Sequence, residues 1–338
     1  MKKGTIKEIY AVIAFTLALA VFIAVFSSVV TPKRDSYGST WGSYLKEEKN
    51  SIDVMYFGSS ITYCDVIPAV IWDNSGLSAY VMAGPEQTIP ISYYYIKEAT
   101  RTQHPKMIFL EVTGVFFKQY QNYTKVNIGY MPWTLNRLAA TFNAAERSEW
   151  AGLLFPLYNY HSRWDTLEHT DIEIGLFGYG ADDLAGYTFL NASTEVNEVK
   201  LRGEVLDKEN YDRNIGFLQK IAALCKEQDI KLVFYIAPTY WILSDEHTAM
   251  LKDSISGIEG VTFIDFNDSI ADLKLDCRQD FFDLPHLNYR GAEKFSARLA
   301  GMLRTDYNLV PSENTDKALW KMRLEKYDEL CNTDSPAK

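Results

Sequence analysis

The hydrophobic positions between residues 51 and 305 fall into two recurring patterns. Short apolar runs bounded by glycine, proline or polar clusters predict buried β-strands, and longer stretches with apolar positions three and four apart predict amphipathic helices. The two patterns alternate, and strand–helix–strand alternation at this spacing indicates a parallel sheet with crossover helices. The predicted strands cover 53–57, 79–83, 106–112, 231–238 and 261–266, and the predicted helices cover 68–75, 89–102, 210–228, 244–256 and 291–304.

A longer apolar run precedes this region and predicts a membrane anchor. Lys2, Lys3 and Lys7 come before an apolar run over 9–30, which is long enough to cross a hydrocarbon core of about 30 Å. The run exceeds the usual core of a signal peptide, and no small-x-small cleavage site follows it. We expect a retained single-pass anchor over residues 1–34, with the body outside the cytoplasm because the flanking basic residues give a slight positive-inside bias. A cleaved signal peptide is the alternative interpretation.

The rest of the chain divides where its composition changes. Residues 35–50 are polar with glycine and serine, which predicts a short linker, and the α/β domain then covers 51–305. Residues 115–205 break the alternation with many aromatic residues and few clean periods, so we interpret them as an insertion over the active edge of the sheet. Residues 306–338 are polar and predict a peripheral C-terminal segment.

Composition and charge narrow the class of function. The chain is 47% hydrophobic and 23% charged, which is globular, and its net charge of −10 without a long basic patch argues against a nucleic-acid partner. None of the four cysteines forms a CxxC pair, so no zinc site is expected, while a disulfide stays open. No metal-ligand cluster or cofactor-binding loop is visible, since Gly178-Tyr179-Gly180 is too short for a phosphate loop.

Two short motifs, far apart in sequence, carry candidate chemistry. Gly58-Ser59-Ser60 follows the first predicted strand, and ligands of open α/β sheets bind where strands end. A serine nucleophile needs a base and a group that orients the base. Asp283-Leu284-Pro285-His286 supplies both, because an aspartate three residues before a histidine can fix its tautomer. The alternatives are an ordinary strand-end turn and a surface histidine beside a helix N-terminal carboxylate.

These motifs resemble the SGNH (GDSL-like) hydrolase superfamily over most of residues 52–305. The resemblance implies a three-layer α/β/α, flavodoxin-like fold, with Ser60 as nucleophile, Ser59 in place of the usual aspartate, and Asp283 and His286 completing the triad. The Gly-Ser-Ser variant with an N-terminal anchor is similar to membrane-tethered members that act in teichoic-acid D-alanylation and alginate O-acetylation. Those proteins work beside a membrane-bound O-acyltransferase, which becomes an expected partner.

The same resemblance directs attention to the oxyanion hole. Gly84 matches the glycine of the second family block, but the third block has no asparagine here and reads Val112-Thr113-Gly114-Val115. The expected donors are therefore the N–H of Ser60, the Gly84 region, and the side chain of Gln87 or Thr113. Within the insertion, His161 and Arg163 stand beside Trp164 and are candidates to contact a sugar or an acyl group, with a local packing cluster as the alternative.

Together these features predict an extracytoplasmic serine-dependent acyl esterase or O-acyltransferase. It would act on an acylated glycan or polymer of the cell envelope through an acyl-serine intermediate, without a cofactor. One alternative is a non-catalytic protein of this fold that binds a membrane-bound O-acyltransferase. Another is an anchored lipase-like esterase with no dedicated polymer.

Overall fold

A computed structural model describes residues 3–33, 41–203 and 205–333. Its central sheet has five parallel strands in the order β2-β1-β3-β4-β5, which is the flavodoxin-like order. The strands are β1 Val54–Gly58, β2 Ala79–Ala83, β3 Met107–Glu111, β4 Lys231–Ile236 and β5 Val261–Asp265. Two further two-residue strands, Lys200–Leu201 and Trp241–Ile242, pair with each other outside this sheet.

Helices cover both faces of the sheet and fill the insertion. Between β1 and β5 lie α3 Ser60–Asp65, α4 Pro68–Ser75, α5 Ile89–Ala99, α11 Lys208–Glu227 and α12 Asp245–Ser256. The insertion contributes α6 Thr124–Gly129, α7 Leu135–Ala144, α8 Trp150–Leu154, α9 Pro156–Tyr160 and α10 His169–Phe177. The remaining helices are α1 Lys3–Val30, α2 Trp41–Tyr44, α13 Tyr289–Thr305 and α14 Lys317–Thr333. Turns of 3₁₀ helix cover Thr113–Phe116, Arg147–Glu149, His161–Asp165 and Phe266–Leu273.

The core consists of two apolar layers, one on each face of the sheet. Because side chains alternate along a strand, Val54 and Tyr56 enter one layer, with α4 and α13, while Met55 and Phe57 enter the other, with α5 and α11. Burial on both faces explains why these strands appear in sequence as continuous apolar runs. The predicted three-layer α/β/α fold and its parallel sheet are confirmed.

Parts of the predicted linker and of the predicted peripheral C-terminal segment contribute to the core. Residues 35–40 of the predicted linker lie outside the described residues, but Trp41 and Tyr44 are buried, and the Tyr44 hydroxyl donates to the Ala99 carbonyl at 2.8 Å. The predicted peripheral segment includes α14, whose Trp320 and Tyr327 are buried. These positions share one face of the helix, so the apolar stripe is masked in sequence by the charged residues of the other faces.

A buried ion pair connects these two segments. The Arg323 guanidinium contacts both carboxylate oxygens of Glu47, with an Nη1–Oε2 distance of 3.2 Å, and its Nε donates to the Asp182 carbonyl at 2.9 Å. Burial raises the pKa of Glu47, and the Arg323 charge opposes that rise. One side chain of α14 thereby joins the C-terminal helix to the segment before β1 and to the insertion.

Replacing Arg323 by leucine should therefore destabilise the protein strongly. Glu47 would be left buried without its partner, which costs about 3 to 5 kcal/mol of unfolding free energy. Urea unfolding of the full-length protein in detergent measures the loss. Adding Glu47→Leu to Arg323→Leu should recover more than half of it, since no unpaired charge then remains. A single variant as stable as the wild type would show that the pair contributes nothing.

Helix α1 is the one helix among the described residues that is long and apolar enough to cross a membrane. Its qualifying segment is Ile6–Val30, of 25 residues, and a signal sequence near an N-terminus would meet the same criteria. The insertion packs against this helix through α9, α10 and the turn His161–Asp165. Residue 34, the last of the predicted anchor, lies outside the described residues.

Candidate active site

The candidate site forms where the carboxyl ends of β1, β2 and β3 meet. From β1 the chain passes to β2 on one side and then to β3 on the other, so this edge is a topological switch point, where open α/β sheets bind ligands. β1 ends at Gly58, which has a φ of +154°. A Cβ there would lie 2.2 Å from Thr62 Oγ1 and 2.8 Å from Glu111 Cβ, so only glycine fits. The tight turn makes Ser60 the first residue of α3.

The structure brings Ser60, His286 and Asp283 into one hydrogen-bonded chain. His286 Nε2 lies 2.8 Å from Ser60 Oγ, and His286 Nδ1 lies 2.8 Å from Asp283 Oδ1. Because an ionised carboxylate only accepts, Nδ1–H donates to Asp283, which leaves Nε2 as an acceptor for the Ser60 hydroxyl. The His286 side chain is 19% exposed and that of Asp283 is 44% exposed, so both groups are reachable from solvent.

The loop that carries His286 is fixed by α3 itself. Phe281 and Leu287 form an isolated antiparallel bridge that closes the loop, and Leu287 N–H donates to Asp65 Oδ1 at 2.9 Å. Asp65 is the last residue of the helix that begins with Ser60. The six-residue helix α3 therefore positions the serine with its first residue and the histidine loop with its last. Asp65 is fully buried, and burial raises its pKa well above the usual value.

The residues expected to form the oxyanion hole lie at the same edge of the sheet. Their polar atoms, however, form hydrogen bonds with groups other than Ser60. The Gly84 N–H makes a long hydrogen bond of 3.4 Å to the Gly58 carbonyl. The Gln87 side chain is buried, and its amide donates to Ser92 Oγ at 3.0 Å. The Thr113 N–H donates to Glu111 Oε1 at 3.0 Å, and burial raises the pKa of Glu111. No hydrogen bond given for the described residues joins the Gln87 or Thr113 side chain to Ser60.

The insertion supplies one site residue that the sequence did not reveal, Asn127 of α6. Its Nδ2 donates to the Pro85 carbonyl at 2.9 Å, and a Cβ on Gly84 would lie 2.2 Å from its Oδ1. The loop that it holds contains Glu86 at a φ of +47°, a strained conformation for a residue with a side chain. Asn127 lies in the stretch without clean periodicity, where no sequence signal marked it.

His161 and Arg163 lie in the turn that packs against α1. Arg163 Nη1 donates to the Val30 carbonyl at the end of α1 at 2.7 Å, and Nη2 pairs with Asp171 at 2.9 Å. His161 is exposed, with Nδ1 3.0 Å from the Leu157 carbonyl. Arg163 thereby satisfies a carbonyl that the helix end leaves unbonded, as the packing-cluster alternative predicts. The role of His161 and Arg163 in contacting a substrate stays a prediction.

Cys64 lies four residues after Ser60 but lacks the properties of a nucleophile. Its side chain is buried in the core, and burial raises the pKa of its thiol well above the usual value. The thiol therefore stays protonated at neutral pH. Across 3–33, 41–203 and 205–333, no group of three or more His, Cys, Asp or Glu side chains is placed to hold a metal ion.

Comparisons with known proteins add little to this geometry. No family model matches the chain, and no curated protein matches it. Among the solved structures that match is a protein from Bacteroides fragilis NCTC 9343, described as a "putative acylhydrolase". It is 12% identical, covers 78% of this chain and 89% of its own, and gives a TM-score of 0.38. A likeness at this level carries no argument about chemistry, so function has to be inferred from the residues of the site.

Asp65 allows a test of the coupling between α3 and the histidine loop. Because burial raises the pKa of Asp65 above 3.8, the ordinary pKa of an aspartate, the folded state favours the protonated carboxyl. The free energy of unfolding therefore falls as the pH rises above 3.8. Asp65→Asn removes this dependence while keeping an acceptor for Leu287 N–H. We therefore expect Asp65→Asn to have a flatter stability profile than the wild type in urea unfolding from about pH 4 to 8.

The matched variant Asp65→Ala keeps neither the carboxyl nor the acceptor. It should lower the reactivity of Ser60 towards a fluorophosphonate probe by about tenfold, because a loosened loop misplaces His286 by a fraction of an ångström or more. Asp65→Asn should keep most of that reactivity. Equal losses in the two variants would mean that Asp65 does not act through Leu287 N–H.

Proposed function

We propose that this protein is a serine-dependent acyl hydrolase or acyltransferase of the SGNH type. The observation that carries the proposal is the chain Ser60–His286–Asp283, with two contacts of 2.8 Å, at the switch point of a parallel sheet. A hydroxyl, an imidazole and a carboxylate in this order are the parts that nucleophilic acyl transfer needs. The three residues come from segments that only the fold brings together.

In the proposed first half-reaction, His286 Nε2 takes the Ser60 proton while Oγ attacks the acyl carbon of an ester. The tetrahedral intermediate collapses, the leaving alkoxide takes the proton from His286, and an acyl-Ser60 ester forms. In the second half-reaction, His286 deprotonates water or a sugar hydroxyl, which attacks the acyl carbon. Ser60 leaves and recovers its proton from His286, so the enzyme returns to its starting state.

The developing oxyanion needs hydrogen-bond donors near Ser60. Ser60 begins α3, so its N–H has no carbonyl four residues earlier within the helix. Gly84 follows the neighbouring strand, and its N–H donates to the Gly58 carbonyl over a long distance of 3.4 Å. This weak bond can be replaced by a bond to the oxyanion. Each donor contributes about 3 kcal/mol of transition-state stabilisation. We infer that these two backbone groups form the hole.

The substrate class proposed is an acylated glycan or polymer of the cell envelope. An N-terminal helix able to span a membrane would keep the site beside the bilayer. The extracytoplasmic side is proposed from the slight bias of the flanking basic residues. Membrane-tethered proteins that the site motifs resemble act on such polymers beside a membrane-bound O-acyltransferase, which is the proposed partner. Hydrolysis and transfer differ only in whether water or a sugar hydroxyl attacks the acyl-serine.

One observation favours a second candidate, a non-catalytic binding partner of an O-acyltransferase. The Gln87 amide is held by Ser92, and no hydrogen bond joins the Thr113 side chain to Ser60 within the described ranges. Among the described residues, neither of these two side chains is therefore placed as a third oxyanion donor. The pre-assembled triad weighs against this candidate, because a binding module needs no hydrogen bond between Ser60 and His286.

Fluorophosphonate labelling of the full-length protein in detergent separates the two candidates. We expect an adduct on Ser60, located by peptide mass, that is absent in Ser60→Ala and reduced at least about a hundredfold in His286→Ala. Ser59→Ala is the matched control, since the adjacent hydroxyl is buried and lies outside the hydrogen-bonded chain. Its labelling should stay near the wild-type level.

The opposite result has a clear meaning. A folded wild-type protein that neither labels at Ser60 nor turns over p-nitrophenyl acetate, with or without the membrane fraction that contains an O-acyltransferase, would sink the catalytic proposal. The binding-partner candidate would then stand.

Asp283 should contribute to turnover by orienting His286. Asp283→Asn keeps an oxygen that can accept from the backbone N–H of His286. Its neutral amide no longer favours the imidazole tautomer with hydrogen on Nδ1. We expect kcat for p-nitrophenyl acetate to fall by about 10² to 10⁴ with little change in KM. An unchanged kcat would assign the orientation of His286 to its packing rather than to the carboxylate.

A further inference from the structure

A cavity of about 620 Å³ lies between the membrane helix α1 and the insertion, and the triad is not part of it. One wall is apolar and comes from α1, with Ala20, Ile23 and Ala24. The facing wall comes from the insertion and includes Phe155 and Leu157. Such a volume and lining suit an acyl chain better than a polar metabolite.

The position of the cavity along α1 places it at membrane depth. Ala20 precedes Val30 by ten residues, which is about 15 Å along a helix axis, or half of a hydrocarbon core of about 30 Å. The insertion beside α1 also carries large apolar side chains that are 67–82% exposed. Exposed apolar surface next to a spanning helix is what lipid covers. These side chains are Leu135, Phe155, Tyr158, Trp164 and Phe177.

The end of the cavity nearest the domain is cationic. Arg137 is 4% exposed, and its two terminal nitrogens donate to the carbonyls of Met131, at 2.7 Å, and Leu153, at 3.0 Å. Its Nε is shielded from solvent and has no hydrogen-bond partner, and the centre of the Trp133 ring lies 3.8 Å from the guanidinium carbon. Burial lowers the pKa of Arg137 to about 10, so the side chain stays charged at neutral pH.

Lys33 provides the second cation at this end. Its Nζ donates to the carbonyls of Ser28 and Thr31, so its hydrogen bonds go to neutral groups at the end of α1. Among the described residues, neither Lys33 nor Arg137 forms an ion pair with a carboxylate. The carboxylate that acts on Lys33 from nearby, Asp171, is paired with Arg163 at 2.9 Å. A buried guanidinium without an anionic partner is costly, and an anionic ligand would offset that cost.

We propose that this cavity binds a membrane phospholipid with a net negative headgroup. Its acyl chain would lie between Ala20–Ala24 of α1 and Phe155–Leu157, and its phosphate would meet the Lys33 ammonium, with the buried charge of Arg137 close behind. A zwitterionic lipid brings its own cation and would bind less well. The lipid would fix the tilt of α1 against the insertion, independently of the chemistry at Ser60.

Photo-crosslinking in nanodiscs tests this site with the full-length protein. The discs contain phosphatidylcholine doped with either phosphatidylglycerol or phosphatidylcholine that carries a diazirine on its acyl chain. After irradiation, adducts are located by peptide mass. We expect adducts from phosphatidylglycerol on peptides that contain residues 20–24 and 155–157, in at least about fivefold excess over the phosphatidylcholine probe.

Matched variants separate the site from general contact with the bilayer. Lys33→Gln should lower the phosphatidylglycerol adducts by about fivefold, whereas Lys7→Gln, at the other end of α1, should leave them unchanged. Ala24→Phe fills the cavity and should remove most adducts, whereas Ala18→Phe adds the same ring to α1 away from the cavity lining. Unfolding midpoints confirm that each variant is folded.

Two outcomes would overturn the proposal. Equal adduct yields from the two lipid probes would mean that these residues only face bulk lipid. Adducts that survive Ala24→Phe as well as they survive Ala18→Phe would place the bound lipid elsewhere on α1. Neither result would bear on labelling at Ser60, so the proposed function is tested separately.

Discussion

The close approach of β1 and β3 at Gly58 is the constraint on which the site depends. A side chain at this position would collide with Thr62 and Glu111, so only glycine allows the chain to make this turn. The turn starts α3 at Ser60, and the other end of α3 places Asp65 against the histidine loop. Two groups 226 residues apart are therefore brought within hydrogen-bond distance by one turn and one short helix.

The features that could be predicted from the sequence are those with a local signal. Strands buried on both faces appear as continuous apolar runs, and their alternation with amphipathic helices fixes the layered fold. The glycine–serine turn and the Asp-x-x-His loop are also local, since each motif is complete within four residues. The structure brings both motifs to one edge of the sheet.

The parts that could not be predicted depend on partners remote in sequence. Arg163 is of a residue type common in binding sites, but it bonds the backbone carbonyl of Val30. A contact to a backbone group leaves no signal in the residue types of the sequence. Arg323 stands among surface-like charged residues, and only the fold buries it against Glu47. Asn127 holds the Gly84 loop from within an aperiodic insertion. Tertiary contacts override local pattern in each case.

The insertion links the candidate site to α1, the helix long and apolar enough to cross a membrane. Through α6 it holds the loop after β2 beside Ser60, and through α9 and α10 it packs along α1, where Arg163 and Tyr130 bond the carbonyls of Val30 and Pro32. Trp41 enters the core within eleven residues of Val30, so little chain separates the helix from the domain.

A site held at a fixed height above a bilayer gains little with a freely diffusing ester, because such a substrate reaches any orientation. It gains much with a substrate or acyl donor that is itself held at the membrane, since both groups then meet in a restricted layer. On the proposed function, a membrane-held polymer or acyl donor would therefore suit the site better than a soluble ester.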